Sequence, residues 1–324
     1  MTPPGTSSSQ SRQNDRKVGV EIEFADLLPD MAAKVVADCL KGSTDQTDLY
    51  CWQVEGTDLG DFTVELDTRY VKKSNNAAQR ALEETSEELG EDLRRLIGSM
   101  SENIVPTEIV GPPMPAGDLN MLDDLVTALR QAGAKDSSGN PLYAFGLHLN
   151  PDVRGEKVAD ILPTLQAYVL ASVWLREEIG IDLARKALPY IDPFPRSYVL
   201  HITDPDYAPD QDQLIDDYLA DNATRNRELD MLPLFAHLDE SRVQDVVDDP
   251  RIKPRPTYHY RLPEARLSDS KWTIQQEWDR WCLIEALADD TEKLAELAQL
   301  YHDTLRWNWK EVCCTFMEDW RRKN

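Results

Sequence analysis

Residues 18–24 read Val18-Gly19-Val20-Glu21-Ile22-Glu23-Phe24. Side chains of a strand alternate between its faces, so Glu21 and Glu23 point one way and Val20, Ile22 and Phe24 the other. Two carboxylates two residues apart repel, and a divalent cation is the simplest way to hold both on one face. The alternative is a solvent-exposed acidic face on an amphipathic strand. Further stretches weigh on that choice. Glu65 in Thr63-Val64-Glu65-Leu66-Asp67, Glu108 in Thr107-Glu108-Ile109-Val110, His148 in Gly146-Leu147-His148-Leu149-Asn150, and Glu264 all sit beside apolar neighbours in strand-like segments. Antiparallel strands would stack such positions at about 5 Å lateral spacing, close enough to share cations. A carboxylate-rich set with one imidazole suits Mg²⁺, or Mn²⁺, rather than zinc.

Composition narrows the partners. The 324 residues include 59 acidic and 35 basic side chains, a formal net charge of −24, which argues against a nucleic-acid partner and against an anionic membrane surface. The longest apolar stretch, residues 158–174, is interrupted by Pro163, Gln166 and Ser172, so no membrane span is expected. Residues 1–17 are rich in Ser, Gln, Thr and Pro without an apolar run, and are expected to form a disordered tail rather than a signal peptide or a strand. The cysteines Cys39, Cys51, Cys282, Cys313 and Cys314 form no C-x-x-C pair and are odd in number, which fits a reducing cytoplasm.

The pattern predicts one domain over 18–290 with a helical extension over 291–324. Residues 30–41 read as a helix with Ala32, Val35, Val36 and Leu40 on one face. Strands over 50–55 and 62–67 flank a turn-forming segment, which suggests a hairpin. A leucine-striped helix is expected over 76–97, with a solvated acidic face. A strand over 105–110 is followed by a helix capped by Asp118 or Asn120 and ended by Gly133. The strand over 143–151 places Gly146, His148 and Asn150 on one face, and an apolar helix covers 162–179. The proline-rich segment 182–221 reads as a loop or lid, with Arg196, Tyr198 and His201 as possible substrate contacts. A last strand runs over 257–267, where Pro263 demands an edge or a bulge. Helix continues from 274, with Trp278, Trp281 and Leu294 in the core.

Phosphate-binding loops of the G-x-x-x-x-G-K-[ST] type and G-x-G turns are both missing from the sequence. Phosphates would therefore rest on metals and arginines. Glu264 and Arg266 share a strand face, one suited to a metal and the other to phosphate oxygens, and Arg261 lies nearby; a plain ion pair is the alternative.

In their order along the chain, Gly19-Val20-Glu21-Ile22-Glu23-Phe24, Val64-Glu65-Leu66, Thr107-Glu108-Ile109-Val110-Gly111-Pro112-Pro113 and Gly146-Leu147-His148-Leu149-Asn150 resemble the motifs of the amidoligase family, within the carboxylate-amine ligase superfamily that contains glutamine synthetase and glutamate-cysteine ligase. The resemblance runs over about 18–290. It implies an α+β fold in which an antiparallel sheet forms a funnel of the glutamine synthetase type, with helices on its outer face and ATP and Mg²⁺ (or Mn²⁺) inside. It also implies that Glu21, Glu23, Glu65, His148 and Glu264 are metal ligands. Glu108 would be a further metal ligand or a catalytic carboxylate positioning the amine; Arg266 with Glu264, and Arg261 as the weaker candidate, would lie near the phosphates and act in catalysis. Many relatives carry a second histidine where Asn150 stands, and Pro263 disturbs the strand before Glu264.

The implied reaction joins a carboxylate to an amine through an acyl phosphate, at the expense of ATP. The resemblance points to a peptide or protein substrate. Two other classes remain open from the residues alone: a metal-dependent hydrolase built on the same carboxylates, against which the absence of H-x-H and H-E-x-x-H counts, and a silent binding or scaffold protein.

Overall fold

The computed structural model describes residues 16–67, 106–137, 145–181 and 191–323. The expected helix over 76–97 and residues 1–15 of the expected tail lie outside the described residues; Lys17 already opens the first strand. The chain divides into two compact units. The first takes Met1–Leu147 and Glu264–Ile274, the second His148–Pro263 and Gln275–Asn324. Each combines antiparallel strands with packed helices, as an α+β fold requires.

The first unit contains β1 (Lys17–Phe24), α1 (Pro29–Leu40), β2 (Ser43–Asp48), β3 (Cys51–Thr57), β4 (Gly60–Leu66), β5 (Thr107–Val110), β6 (Met114–Pro115) and α2 (Asn120–Gln131). Its strands lie in the order β2-β3-β4-β5-β1, all antiparallel, and β6 also pairs with β1. One face is apolar: Ile22 pairs with Ile109 and Ile109 with Val64, all at most 1 % exposed. Helix α1 packs across β2 to β5 and against α2, burying Ala32, Ala33, Val36 and Leu40. Of the expected α1 stripe only Val35 stays half-exposed. The β3–β4 hairpin is tighter than expected, turning at Gly60, whose φ of 107° is open to glycine at little cost.

Two local expectations need correction here. Strand β2 was not anticipated, because Ser43-Thr44-Asp45-Gln46-Thr47-Asp48 is exposed throughout and carries no apolar alternation. Neither Asp118 nor Asn120 caps α2; a 3₁₀ turn over Ala116–Asp118 leads into it and no side chain bonds its first turn.

The second unit contains β7 (Leu147–Pro151, whose first residue closes a segment of the first unit), α3 (Val158–Ile179), α4 (Arg196–Ile202), α5 (Gln211–Asn222), β8 (Leu229–Asp230), α6 (Leu232–Leu238), α7 (Glu240–Gln244), β9 (His259–Tyr260), α8 (Ile274–Asp289, whose first residue ends the other segment of the first unit), α9 (Thr291–Asp303) and α10 (Trp309–Arg321). Its strands lie in the order β7-β9-β8. Helix α3 starts earlier than expected and tolerates Pro163, which gives up one helical hydrogen bond. By length and composition α3 could cross a membrane, contrary to the sequence expectation, yet 61 % of its most apolar window is buried within the protein. Tyr168 of α3 meets Tyr260 and Trp281 edge-on or tilted, and the Cys313 thiol of α10 bonds the Leu170 carbonyl. These are contacts of a core helix.

Where it is described, the segment 182–221 is largely helical rather than a loop. Its described part folds into α4 and α5, the latter capped by Asp210, which accepts from the Gln213 N–H at 2.9 Å; residues 182–190 lie outside the described residues. Phe194, Tyr198, Tyr218 and Phe235 form a continuous aromatic cluster there, so the prolines frame helices rather than break them. The last strand is also shorter than expected, with only His259–Tyr260 in β9 and single bridges at Thr257 and Glu264. Pro263 accounts for this, since it lacks an N–H to donate. Leu149 pairs with Tyr260 and Gly146 with Glu264, so the later segment carries one extra residue between the pairings, as a bulge does.

Candidate active site

In the first unit, the face opposite the apolar layer carries the carboxylates. Glu23 on β1 lies directly opposite Glu108 on β5, and Glu108 directly opposite Glu65 on β4. Directly opposed residues share a face, so the three form a lateral row across three strands. Glu21 stands one step along β1, opposite Val110, on the same face. The row continues to Cys51 on β3, the partner of Glu65, while Thr63 and Gln53 fill the next step and bond to each other at 2.9 Å.

Burial grades the row. Glu23 is 6 % exposed and Glu108 3 %, whereas Glu65 and Glu21 are half-buried. A carboxylate oxygen of Glu23 lies within 4.8 Å of one of Glu108. Glu23 is locked from two sides by Gly146: its Oε2 accepts the Gly146 N–H at 2.8 Å, and its own N–H donates to the Gly146 carbonyl at 3.0 Å. Gly146 is also the bridge partner of Glu264. Glu264, 5 % exposed, accepts from Arg266 Nη2 at 3.1 Å and from Nε at 3.3 Å, so these two make the ion pair that their spacing allowed.

The second unit holds His148 and Arg261. The His148 ring meets the His259 ring edge-on, centroids 5.3 Å apart, with a nitrogen of each within 4.8 Å. His259 lies opposite Asp230 across β8 and β9, its Nδ1 3.4 Å from Asp230 Oδ2, and Arg225 Nε approaches the same oxygen at 3.7 Å. Burial alone would raise the Asp230 pKa, but His259, Arg225 and Arg261 together hold it below the ordinary carboxylate value. Arg261 donates from Nη1 to the Arg225 carbonyl, and its N–H bonds the Glu228 carbonyl at 2.9 Å. Beside it, buried Glu228 pairs with Arg176 at 2.6 Å; burial raises the Glu228 pKa in spite of that charge.

Glu21, Glu23, Glu65, Glu108, Glu264 and Arg266 thus belong to one unit, and Glu23, Glu65 and Glu108 are brought into a single row. The three loop candidates have structural partners instead. Arg196 bonds the Tyr301 and Thr304 carbonyls and lies over the Tyr301 ring, Tyr198 is wholly buried, and His201 pairs with Asp217 at 3.1 Å. Sequence reasoning missed His259 and Asp230. Their association depends on strand pairing between distant segments, and the only local hint was a histidine between the buried tyrosines Tyr258 and Tyr260.

A row of oxygen donors on an antiparallel sheet, with an arginine beside it, is what a chemistry of hard cations and phosphates needs. The family described as "Putative amidoligase enzyme" matches residues 14–283, and the chain belongs to that family. Membership implies an enzyme that joins a carboxylate to an amine with the use of ATP. No curated protein and no solved structure matches the chain.

Proposed function

We propose that this protein is an ATP-dependent ligase that forms an amide or isopeptide bond through an acyl-phosphate intermediate, on a peptide or protein substrate. The reading is carried by one observation, the in-register row Glu23–Glu108–Glu65 on the polar face of a sheet in a chain of the amidoligase family. Neighbouring buried carboxylates repel at strand spacing, and a cation among them offsets that repulsion. All of their donors are oxygens, which fits Mg²⁺ or Mn²⁺.

In this reading Glu21, Glu23 and Glu65 hold divalent cations, with Glu264 at the edge of the set; His148, in the second unit, takes a ligand role from the family resemblance alone. Cations held there would supply positive charge against the nucleotide phosphates. Gly146 fixes the orientation of Glu23 before any ligand arrives, since the carboxylate is held by a backbone N–H. Arg266 turns from Glu264 toward phosphate oxygens, and Arg261 is the second candidate for that role. The substrate carboxylate takes the γ-phosphoryl group from ATP, ADP leaves, and the amine then displaces phosphate from the acyl carbon. Glu108, central in the row, accepts the proton that the attacking amine releases.

Incubation of the full chain with ATP, Mg²⁺ and a panel of amines and carboxylates tests this. The reading expects release of ADP and phosphate that depends on both amine and cation. Cleavage of a peptide or ester without ATP would favour a metal-dependent hydrolase instead.

A further inference from the structure

The second unit contains a constellation that the ligase reading leaves unused: His259 beside His148, with Asp230 behind it. We propose that His259 is a metal-ligating imidazole alongside His148, and that the ion they take is a divalent first-row transition ion of the Mn²⁺ class rather than Mg²⁺. The proposal rests on the ligand role given to His148 above, and it adds the second nitrogen and the metal preference.

Geometry carries it. A nitrogen of each ring lies within 4.8 Å of the other, and two nitrogens on one ion stand roughly 3 to 4 Å apart at bond lengths of about 2 Å. A small rotation of either ring therefore brings both onto one ion. The pairing of Leu149 with Tyr260 sets Asn150 opposite His259, so His148, two residues from Asn150, shares the face of His259. Asn150 itself is engaged, its Oδ1 accepting from Arg255 Nη2 at 2.9 Å.

The surroundings of His259 are those of a ligand with a fixed ring. Asp230 Oδ2 lies 3.4 Å from Nδ1, and the other oxygen, Oδ1, accepts the Leu232 N–H at 3.0 Å, so the carboxylate cannot swing away. A carboxylate on the Nδ1 side of the ring leaves Nε2 as the nitrogen for a metal. His148, His259 and Asp230 are each at most 5 % exposed, unlike a surface histidine pair. Imidazole nitrogens suit first-row transition ions better than the harder Mg²⁺, and among these Mn²⁺ also accepts carboxylate oxygens.

The test is pulsed electron paramagnetic resonance of the full chain loaded with Mn²⁺ without nucleotide, together with Mn²⁺ and Mg²⁺ titrations. Couplings to two nitrogens are expected, with Mn²⁺ bound more tightly than Mg²⁺. His259→Asn should lose one coupling and weaken Mn²⁺ binding, and Asp230→Asn should keep both couplings while binding roughly 10- to 100-fold more weakly. A wild-type spectrum with one nitrogen or none, or an unchanged His259→Asn spectrum, overturns the proposal without recourse to any variant's stability or activity. Two couplings without amine-dependent ATP turnover would overturn the ligase reading alone; turnover with a single coupling would overturn this inference alone.

Discussion

Glu23 and Glu108 face each other directly on neighbouring antiparallel strands, both almost fully buried, with carboxylate oxygens within 4.8 Å. Like charges so placed are destabilising unless a cation or a proton intervenes. Glu23→Gln keeps an oxygen for the Gly146 N–H and removes one charge, so it should raise the metal-free melting temperature while abolishing ATP turnover. Calorimetry in chelator and a turnover assay check both halves. Glu23→Ala, which abandons the Gly146 N–H, should instead lose about 1–3 kcal/mol.

The apolar face beneath the row should tolerate truncation poorly. Ile109 is 1 % exposed between Ile22 and Val64, and Ile109→Ala should cost about 2–5 kcal/mol in urea unfolding. Because Glu108 is its chain neighbour on the opposite face, some activity should be lost as well.

Much of the first unit was legible because its strands alternate cleanly. Val20, Ile22 and Phe24 against Glu21 and Glu23 fix both the strand and its faces, and the turn-forming residues after Glu55 fix the hairpin. Strand β2 was not legible, since an exposed edge strand has no buried face to impose a pattern. In the second unit, prolines between 189 and 209 suggested a loop, whereas tertiary packing of Tyr198 and Tyr218 into an aromatic core determines helix there. The candidate site was legible as residue types but not as a row, because Glu65, Glu108 and Glu23 meet only through the register of three strands. His259 and Asp230 stayed hidden for the same reason.

Arg266 is the residue by which phosphate recognition can be separated from fold. One-third exposed, it holds its charge against the buried Glu264. Arg266→Lys keeps that charge but loses the planar fork, so it should leave the urea midpoint nearly unchanged and raise the KM for ATP at least tenfold. Steady-state kinetics with varied ATP checks this, and a KM equal to that of the wild type would remove Arg266 from the nucleotide site.

The buried pair Arg176–Glu228 gives the reverse expectation. Arg176→Met leaves a carboxylate at 0 % exposure without its partner charge, at a cost of about 3–5 kcal/mol, and adding Glu228→Gln should recover a large part of it. A double-mutant cycle in urea reads the coupling directly.

Acid sensitivity should show at Asp249. Its hydrogen bonds from Arg251 lower its pKa from 3.8 to about 2. A carboxyl lowered on folding adds stability that is complete above its unfolded pKa and lost as pH falls through its folded one. The stability difference between wild type and Asp249→Asn should therefore shrink between about pH 4 and pH 2, as unfolding curves across that range would record.

The central claim, that the glutamate row holds the cations used by the nucleotide, is tested most directly by calorimetric titration of ATP into the protein with and without Mg²⁺, in wild type, Glu23→Gln and Glu65→Gln. The account predicts nucleotide binding that needs the cation and weakens at least tenfold in both variants. Equal binding in chelator, or variants that bind as the wild type does, would contradict it.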